Sequence, residues 1–177
     1  MKLIKDILII QAETSGPNTE TDHIIQLSAV LLDKDNLLEK NNFNFYIKAS
    51  FLDKTLMDHS DYLGITFDQL RKSPKLSEVI NNFIKTFGSD PLIASHDITS
   101  YLFLQKAFKR TLNSFDFDNH YINIWSLGYI YMMHYGVKKI PTLSTLANHF
   151  NLKVKHPHNA FEKVRLTAEI FRKIVLG

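Results

Sequence analysis

KDILIIQAETSGPNTETDHIIQLSAVLLD, residues 5–33, is the stretch that decides the fold. The uninterrupted apolar run at 7–10 is typical of a central strand that is covered on both faces. Residues 15–18, Ser-Gly-Pro-Asn, have turn chemistry, and a second apolar run follows them. The stretch therefore predicts a β-hairpin. Glu13 stands at the mouth of the first strand, where a charge does not serve packing, so we expect it to have a function.

The rest of the chain adds three more strands and several helices. We predict strands at about 5–12, 23–33, 39–48, 91–95 and 120–124, and helices near 66–71, 75–87, 97–110, 125–135, 142–149 and 159–175. Three strands joined by short turns precede two that need helical crossovers. This order predicts an α/β domain with a mixed five-stranded sheet flanked by helices. The chain has no internal repeat and no low-complexity linker, so we expect a single domain over residues 1–177.

Composition narrows the class of protein. The chain has 177 residues, is 45% hydrophobic and contains 13 Phe, which is enough to bury one sizeable core. It has no cysteine, which excludes a disulfide framework and a thiolate metal site. No apolar stretch approaches the ~20 residues of a membrane span, and the first residues are too few and too charged for a signal peptide. We therefore expect a cytoplasmic protein with no membrane partner.

Three ordered motifs carry a resemblance to a known family. The pattern x-x-E-T-S-G followed by T-D-x-I-I-Q-L-S-A-V resembles the first motif of the DEDDh-type 3′→5′ exonucleases, which include the DnaQ-like and RNase T-like enzymes. PLIASHD at 91–97 resembles the second motif, and HNAFEKVRLTAEIF from His158 resembles the third. The resemblance covers roughly residues 5–176. It implies the ribonuclease-H-like fold.

The same resemblance implies five catalytic positions, of which only two match. Glu13 and His158 are retained, whereas Gln11, Tyr101 and Lys163 stand where the family has carboxylates. Two-metal phosphodiester hydrolysis needs clustered anionic oxygens, and Mg²⁺ prefers hard oxygen ligands. An amide, a phenol and an ammonium cannot hold two dications. We therefore interpret the chain as a degenerate member whose remaining catalytic residues are vestigial, with no metal site and no cofactor.

Two neighbouring acids could replace the missing ligands, and this alternative stays open. Glu162 precedes Lys163, but a shift of one residue on a helix turns the side chain by about 100°. Asp97 is equally well placed to cap the following helix. The first functional hypothesis is thus an inactive exonuclease-fold module that binds nucleic acid or protein. The alternative is an active or weakly active 3′→5′ exonuclease that uses Mg²⁺ or Mn²⁺ on single-stranded DNA or RNA.

The positive charge is concentrated at the end of the chain. Residues 151–177 carry six basic and two acidic residues, a net +4, whereas the preceding 150 residues carry 15 basic and 16 acidic, a net −1. This segment is either a solvated helix face or a phosphate-binding rim, and the same choice applies to the smaller group at 106–110. The candidate nucleic-acid-binding residues are Thr14, Ser15, His96, Lys153, Lys155, His156 and Lys163.

Three further expectations concern single features. Lys163 and Glu13 should face each other across the cleft, so we predict an ion pair between them, unless Lys163 points outward into the basic rim. Tyr101 either fills the vacated metal pocket or stacks on a base. The aromatic and Met-rich helix at 125–135 is either core or, in part, the surface for a protein partner.

Overall fold

The fold is a five-stranded mixed sheet with helices on both faces. The computed structural model describes residues 2–49, 64–118, 120–153 and 159–177. The strands are β1 (Ile7–Thr14), β2 (Ile24–Leu32), β3 (Glu39–Tyr46), β4 (Leu92–Ser95) and β5 (Ile122–Asn123). Their order in the sheet is β3-β2-β1-β4-β5. The first three strands pair antiparallel, and β4 pairs parallel with both β1 and β5.

The central position of β1 explains its composition. Seven of its eight residues are buried, and alternate side chains point to opposite faces of the sheet. Leu8, Ile10 and Ala12 pack into one hydrophobic cluster, whereas Ile7 and Ile9 pack into the other. An uninterrupted apolar run is what a strand covered on both faces requires.

The helices divide between these two faces. The described helices are α1 (Phe67–Lys72), α2 (Leu76–Phe87), α3 (Ile98–Arg110), α4 (Ile124–His134), α5 (Leu143–His149) and α6 (Ala160–Leu176). Buried residues of α2 and α3 share the cluster of Leu8, whereas those of α4, α5 and α6 share the cluster of Ile7. The α4–α6 face of the sheet is therefore also the face to which Gln11 and Glu13 point, because they continue the alternation of Ile7 and Ile9.

The predicted fold class is confirmed, with small differences in the ends of elements. The strand β1 continues two residues beyond its predicted end, because Gln11–Thr14 keep pairing with β2 up to an irregularity between Glu13 and Thr14. The strand β5 is shorter than predicted. It pairs only with Ala94 and Ser95, and Asn123 already caps α4 by accepting a hydrogen bond from the Ser126 N–H. No helix in the described part of the chain is long and apolar enough to cross a membrane.

Candidate active-site cleft

The end of β1 supplies a carboxylate to the site that we call the cleft, which is the surface around Glu13, Gln11 and Lys163. Glu13 is paired with Gln26 of β2 at the last regular position of the strand, and its side chain is largely buried. The bulge that follows ends the regular pairing and lets the chain turn into the hairpin. Glu13 is thus a carboxylate held by a rigid central strand.

The helix α6 supplies a cation to this carboxylate. The Lys163 Nζ atom donates a hydrogen bond of 2.7 Å to Glu13 Oε1, and the two side chains expose only 22% and 11% of their surface. Lys163 lies in the first turn of α6, where Asn159 caps the helix by accepting from the Phe161 and Glu162 N–H groups. The predicted ion pair is confirmed, and it is direct. The alternative, in which Lys163 points outward into the basic rim, is wrong.

Gln11 lies on the same face of β1 as Glu13. Its side chain is buried, and its Nε2 donates to the Ala12 carbonyl oxygen at 3.3 Å. A neutral amide at this position adds no negative charge beside Glu13. The local charge therefore comes from one carboxylate and one ammonium, which neutralise each other.

The helix α3 is joined to β1 by a hydrogen bond of Ser100. Ser100 is buried, and its Oγ accepts a hydrogen bond of 3.1 Å from the Ala12 N–H. Sequence reasoning missed this residue, because a serine in the first turn of a helix has no signal that names a partner 88 residues away. Ser100 fixes the end of β1, and so the position of Glu13, against α3.

Tyr101 is part of an aromatic cluster. Its ring stacks on Tyr121 at 4.7 Å, packs edge to face on Phe115 at 5.8 Å, and accepts a hydrogen bond from Gln105 at its hydroxyl. Burial, with a smaller effect of the Asp118 charge, raises the pKa of the Tyr101 phenol. Only 7% of the residue is exposed. Little of its ring is available for stacking on a base, which favours the packing role over the base-stacking one.

Neither of the two substitute acids joins Glu13. Asp97 caps α3, accepting from the Thr99 and Ser100 N–H groups at 2.9 and 3.3 Å. Glu162 lines a separate small pocket together with Lys153, Arg165 and Glu169. Across residues 2–49, 64–118, 120–153 and 159–177, no three His, Asp or Glu side chains are grouped so that they could hold a metal ion. The donors that the structure describes around Glu13 therefore do not fit the two-metal centre that the family resemblance implies.

The candidate rim residues have diverse roles. Thr14 Oγ1 donates to the Gly16 carbonyl at 2.8 Å, and the buried Ser15 Oγ accepts from the His23 N–H at 3.0 Å, so both hold the hairpin turn. The His96 ring donates from Nε2 to the Pro141 carbonyl at 3.1 Å. Lys153 is exposed. Three other candidates lie outside the described residues: Lys155, His156 and His158.

The second basic group anchors the hairpin. Lys106 forms an ion pair with Glu20, and the Arg110 guanidinium donates to the Glu20 and Asp22 carbonyls at 2.8 and 2.9 Å. These contacts tie α3 to the loop between β1 and β2. Of the three basic residues at 106–110, Lys106 and Arg110 are thus engaged in contacts within the fold. Neither the solvated-face nor the phosphate-rim interpretation predicted these contacts.

Comparison with known proteins places these features in a family. A sequence model of the RNase_T exonuclease family matches residues 8–171. The DNA polymerase III PolC-type protein of Bacillus subtilis (strain 168) is 27% identical over 172 residues, a match that covers 95% of this chain and 11% of that protein. The chain therefore spans about a ninth of the length of this relative.

Solved structures share the fold. The nuclease domain of 3′hExo, a DEDDh family member bound to rAMP, superposes with a TM-score of 0.78 at 20% identity, covering 97% of this chain and 92% of that chain. E. coli Exonuclease I in complex with a dT13 oligonucleotide has a TM-score of 0.79 at 17% identity, covering 96% and 41% of the two chains. At this level of identity the likeness shows the DnaQ-like, ribonuclease-H-like fold.

Proposed function

The chain belongs to the RNase_T exonuclease family, and we propose that it is a noncatalytic member that binds single-stranded nucleic acid in its cleft without a metal ion. The observation that carries this proposal is the ion pair between Glu13 and Lys163, 2.7 Å long and largely shielded from water. It replaces a cluster of acidic ligands with a neutral pair.

The ion pair opposes metal binding in two ways. A dication at Glu13 would have to displace the Lys163 ammonium from the carboxylate, and it would then lie close to that positive charge. Repulsion between like charges at contact distance is strong where water is largely excluded. Gln11 offers only an amide oxygen, which is a weaker ligand for Mg²⁺ than a carboxylate. A hydrolysis that depends on two ions would have to rely on Glu13, whose carboxylate is already paired with Lys163.

A nucleic-acid ligand fits the remaining features. The positive excess of the chain lies in residues 151–177, which include α6, the helix that forms one wall of the cleft. Exposed Lys153 lies at the start of this segment, beside the small pocket that it lines with Arg165, Glu162 and Glu169. Basic side chains along a groove attract the phosphates of a strand without reading its sequence. Two neighbours of the same fold have been seen with rAMP and with dT13, which supports a ligand of this class.

The test measures binding in the absence of metal. A fluorescently labelled single-stranded DNA or RNA oligonucleotide is titrated with the protein in EDTA, and anisotropy is recorded over a series of salt concentrations. We expect saturable binding whose affinity falls with salt, and no gain on adding Mn²⁺ beyond the effect of ionic strength. Binding that requires Mn²⁺, or shortening of the strand, would contradict the proposal and favour the metal-dependent exonuclease.

Matched variants locate the contact. Lys153→Ala should weaken binding and reduce the salt slope by about 0.7, the value for one phosphate of a single strand. Lys34→Ala is the control, because Lys34 is exposed and lies far from Glu13. It follows the last residue of β2, Leu32, which pairs with Ile7 at the opposite end of β1 from Glu13. An equal loss in both variants would indicate nonspecific attraction to a basic protein rather than a binding cleft.

A further inference from the structure

The helix α4 exposes large apolar side chains to solvent. Ile124, Gly128 and Met132 are buried within the fold, whereas Trp125, Tyr129, Ile130 and Met133 lie on the outside. A helix that is apolar on all sides is normally covered on all sides. Four exposed neighbours on one helix therefore indicate a binding surface, which we call the α4 strip: Trp125, Tyr129, Ile130 and Met133.

Two aromatic rings at the start of the α4 strip stack on each other, and we call this pair the aromatic platform. The rings of Trp125 and Tyr129 are one helical turn apart, nearly parallel at 9°, with centroids separated by 5.6 Å. They remain 38% and 46% exposed. Parallel, partly exposed rings are suited to bind another flat π-system by stacking.

The platform begins at the same edge of the sheet as the cleft. The Trp125 N–H donates to the His96 carbonyl at 3.1 Å, and His96 follows the last residue of β4, which runs parallel to β1. The helix α4 also packs on the sheet face that carries α6. Two strand spacings separate β1 from β5, about 10 Å. A ligand bound along the cleft can therefore continue onto Trp125.

The charge of this region favours an anionic ligand. Residues 119–161 contain no Asp or Glu, but they contain four lysines and five histidines. Two of the lysines, Lys138 and Lys139, are exposed in the segment after α4. This segment returns across α4, since a Cβ atom placed on Gly128 would lie 3.4 Å from the Pro141 side chain. The aromatic platform thus belongs to a region of the sequence that carries positive charge and no acidic residue.

We propose that the α4 strip extends the cleft as a stacking platform for bases of single-stranded nucleic acid, with Trp125 and Tyr129 contacting bases and Lys138 and Lys139 contacting phosphates. The inference rests on the proposed function and adds the path of the strand. Sequence-independent single-strand sites combine aromatic rings with basic residues in this way. A protein partner is the competing occupant, and it would need acidic flanks to match the lysines.

The only tryptophan of the chain gives a direct readout. Trp125 is the single Trp among 177 residues, so a base that stacks on it should change the intrinsic fluorescence of the protein. Unlabelled poly-dT and poly-U are titrated in EDTA while the Trp emission is followed. We expect saturable quenching that follows the anisotropy curve. Binding by anisotropy without any change in Trp emission would overturn the α4 proposal and leave the proposed function intact, whereas no binding by either method would overturn both.

Variants test the rings against an exposed apolar side chain outside the strip. Trp125→Ala and Tyr129→Ala should each raise the dissociation constant by about 5- to 150-fold, as expected for the loss of one stacked base. The control, Leu176→Ala at the exposed last residue of α6, should leave the dissociation constant within twofold. The Lys138→Ala/Lys139→Ala variant should reduce the salt slope by about 1.4. Unchanged affinity in Trp125→Ala and Tyr129→Ala, with thermal melting as in the unmodified protein, would overturn the proposal in favour of a protein-binding surface.

Discussion

Lys163 Nζ lies 2.7 Å from Glu13 Oε1, so the last helix places an ammonium group on the carboxylate that ends the first strand. The two residues are 150 positions apart in sequence. The contact joins α6 to β1 at the position to which the family resemblance assigns a catalytic carboxylate. Its energetic value depends on burial, because exposed ion pairs contribute at most about 1 kcal/mol to stability.

The first prediction is that Lys163→Met destabilises the protein by about 3 kcal/mol. The substitution leaves the largely buried Glu13 carboxylate without its cation, and breaking one side of a buried pair costs about 3–5 kcal/mol. We expect a loss at the lower end of this range because 22% of the Lys163 side chain is exposed to solvent. Urea denaturation measures the change in the free energy of unfolding.

Two controls test whether the ion pair causes the loss. Lys173→Met removes a charge from the exposed face of the same helix and should change stability by less than about 1 kcal/mol. The double variant Glu13→Gln/Lys163→Met should recover most of the loss, because it removes both charges. If the double variant is as unstable as the sum of the two single variants, the pair is not the cause.

The second prediction concerns the attachment of β1 to α3. Ser100→Ala leaves the Ala12 N–H without the hydroxyl oxygen that accepts its hydrogen bond. Since both residues are buried, we expect a loss of about 1–3 kcal/mol in the free energy of unfolding. Ser77→Ala, at an exposed position in the first turn of α2, is the control and should change it by less than about 0.5 kcal/mol. Equal effects of the two substitutions would show that the Ser100 contact is not structural.

The third prediction concerns pH. Asp118 accepts two hydrogen bonds from His120, one from the backbone N–H at 2.9 Å and one from the ring Nδ1 at 2.8 Å. These hydrogen bonds, with a smaller contribution from Lys5, lower the pKa of Asp118 to about 2. A lowered carboxyl pKa stabilises the folded state above the unfolded value of 3.8, and the contribution is lost as pH falls through about 2. Carbon-detected NMR of the Asp118 carboxyl should titrate with a midpoint near this value. As the pH falls from about 4 to about 2, the Asp118→Asn variant should lose less free energy of unfolding than the unmodified protein. An NMR titration midpoint near 4 for Asp118 would contradict the prediction.

The fourth prediction restores a metal site. Gln11→Asp/Lys163→Asp would surround Glu13 with two further carboxylates from the same strand face and from α6. We expect Mn²⁺ binding to appear in calorimetric titration, where the unmodified protein gives a flat trace. Adding Glu13→Gln to this variant should weaken the binding strongly. Tight Mn²⁺ binding by the unmodified protein, lost in Glu13→Gln, would contradict the account.

Full restoration also requires Tyr101→Asp, and the structure shows why that step is costly. Tyr101 stacks on Tyr121 and belongs to the α3 face of the core. Replacing a buried aromatic side chain with a carboxylate removes packing worth about 3–5 kcal/mol and buries a charge. The triple variant should therefore be examined for folding before its exonuclease activity is measured.

Sequence reasoning succeeded where a local pattern fixes the structure. The apolar run at 7–10 and the turn residues after it determine the hairpin, and the motif spacing places Glu13 and Lys163 on facing elements. It missed Ser100, because a hydrogen bond between distant residues has no local signature. It left two interpretations of helix α4, since an all-apolar helix has no periodicity to say which side is covered. It also overestimated β5, whose two residues are held only by their neighbour β4.

The account is tested most directly by incubating the protein with end-labelled single-stranded DNA and RNA in Mn²⁺ and resolving the products on a denaturing gel. Because the Lys163 ammonium neutralises the Glu13 carboxylate, we predict that the strands keep their full length while anisotropy shows them bound. Glu13→Gln serves as the control for contaminating nucleases. Stepwise shortening from the 3′ end that disappears in Glu13→Gln would show that the cleft is catalytic and would contradict the account.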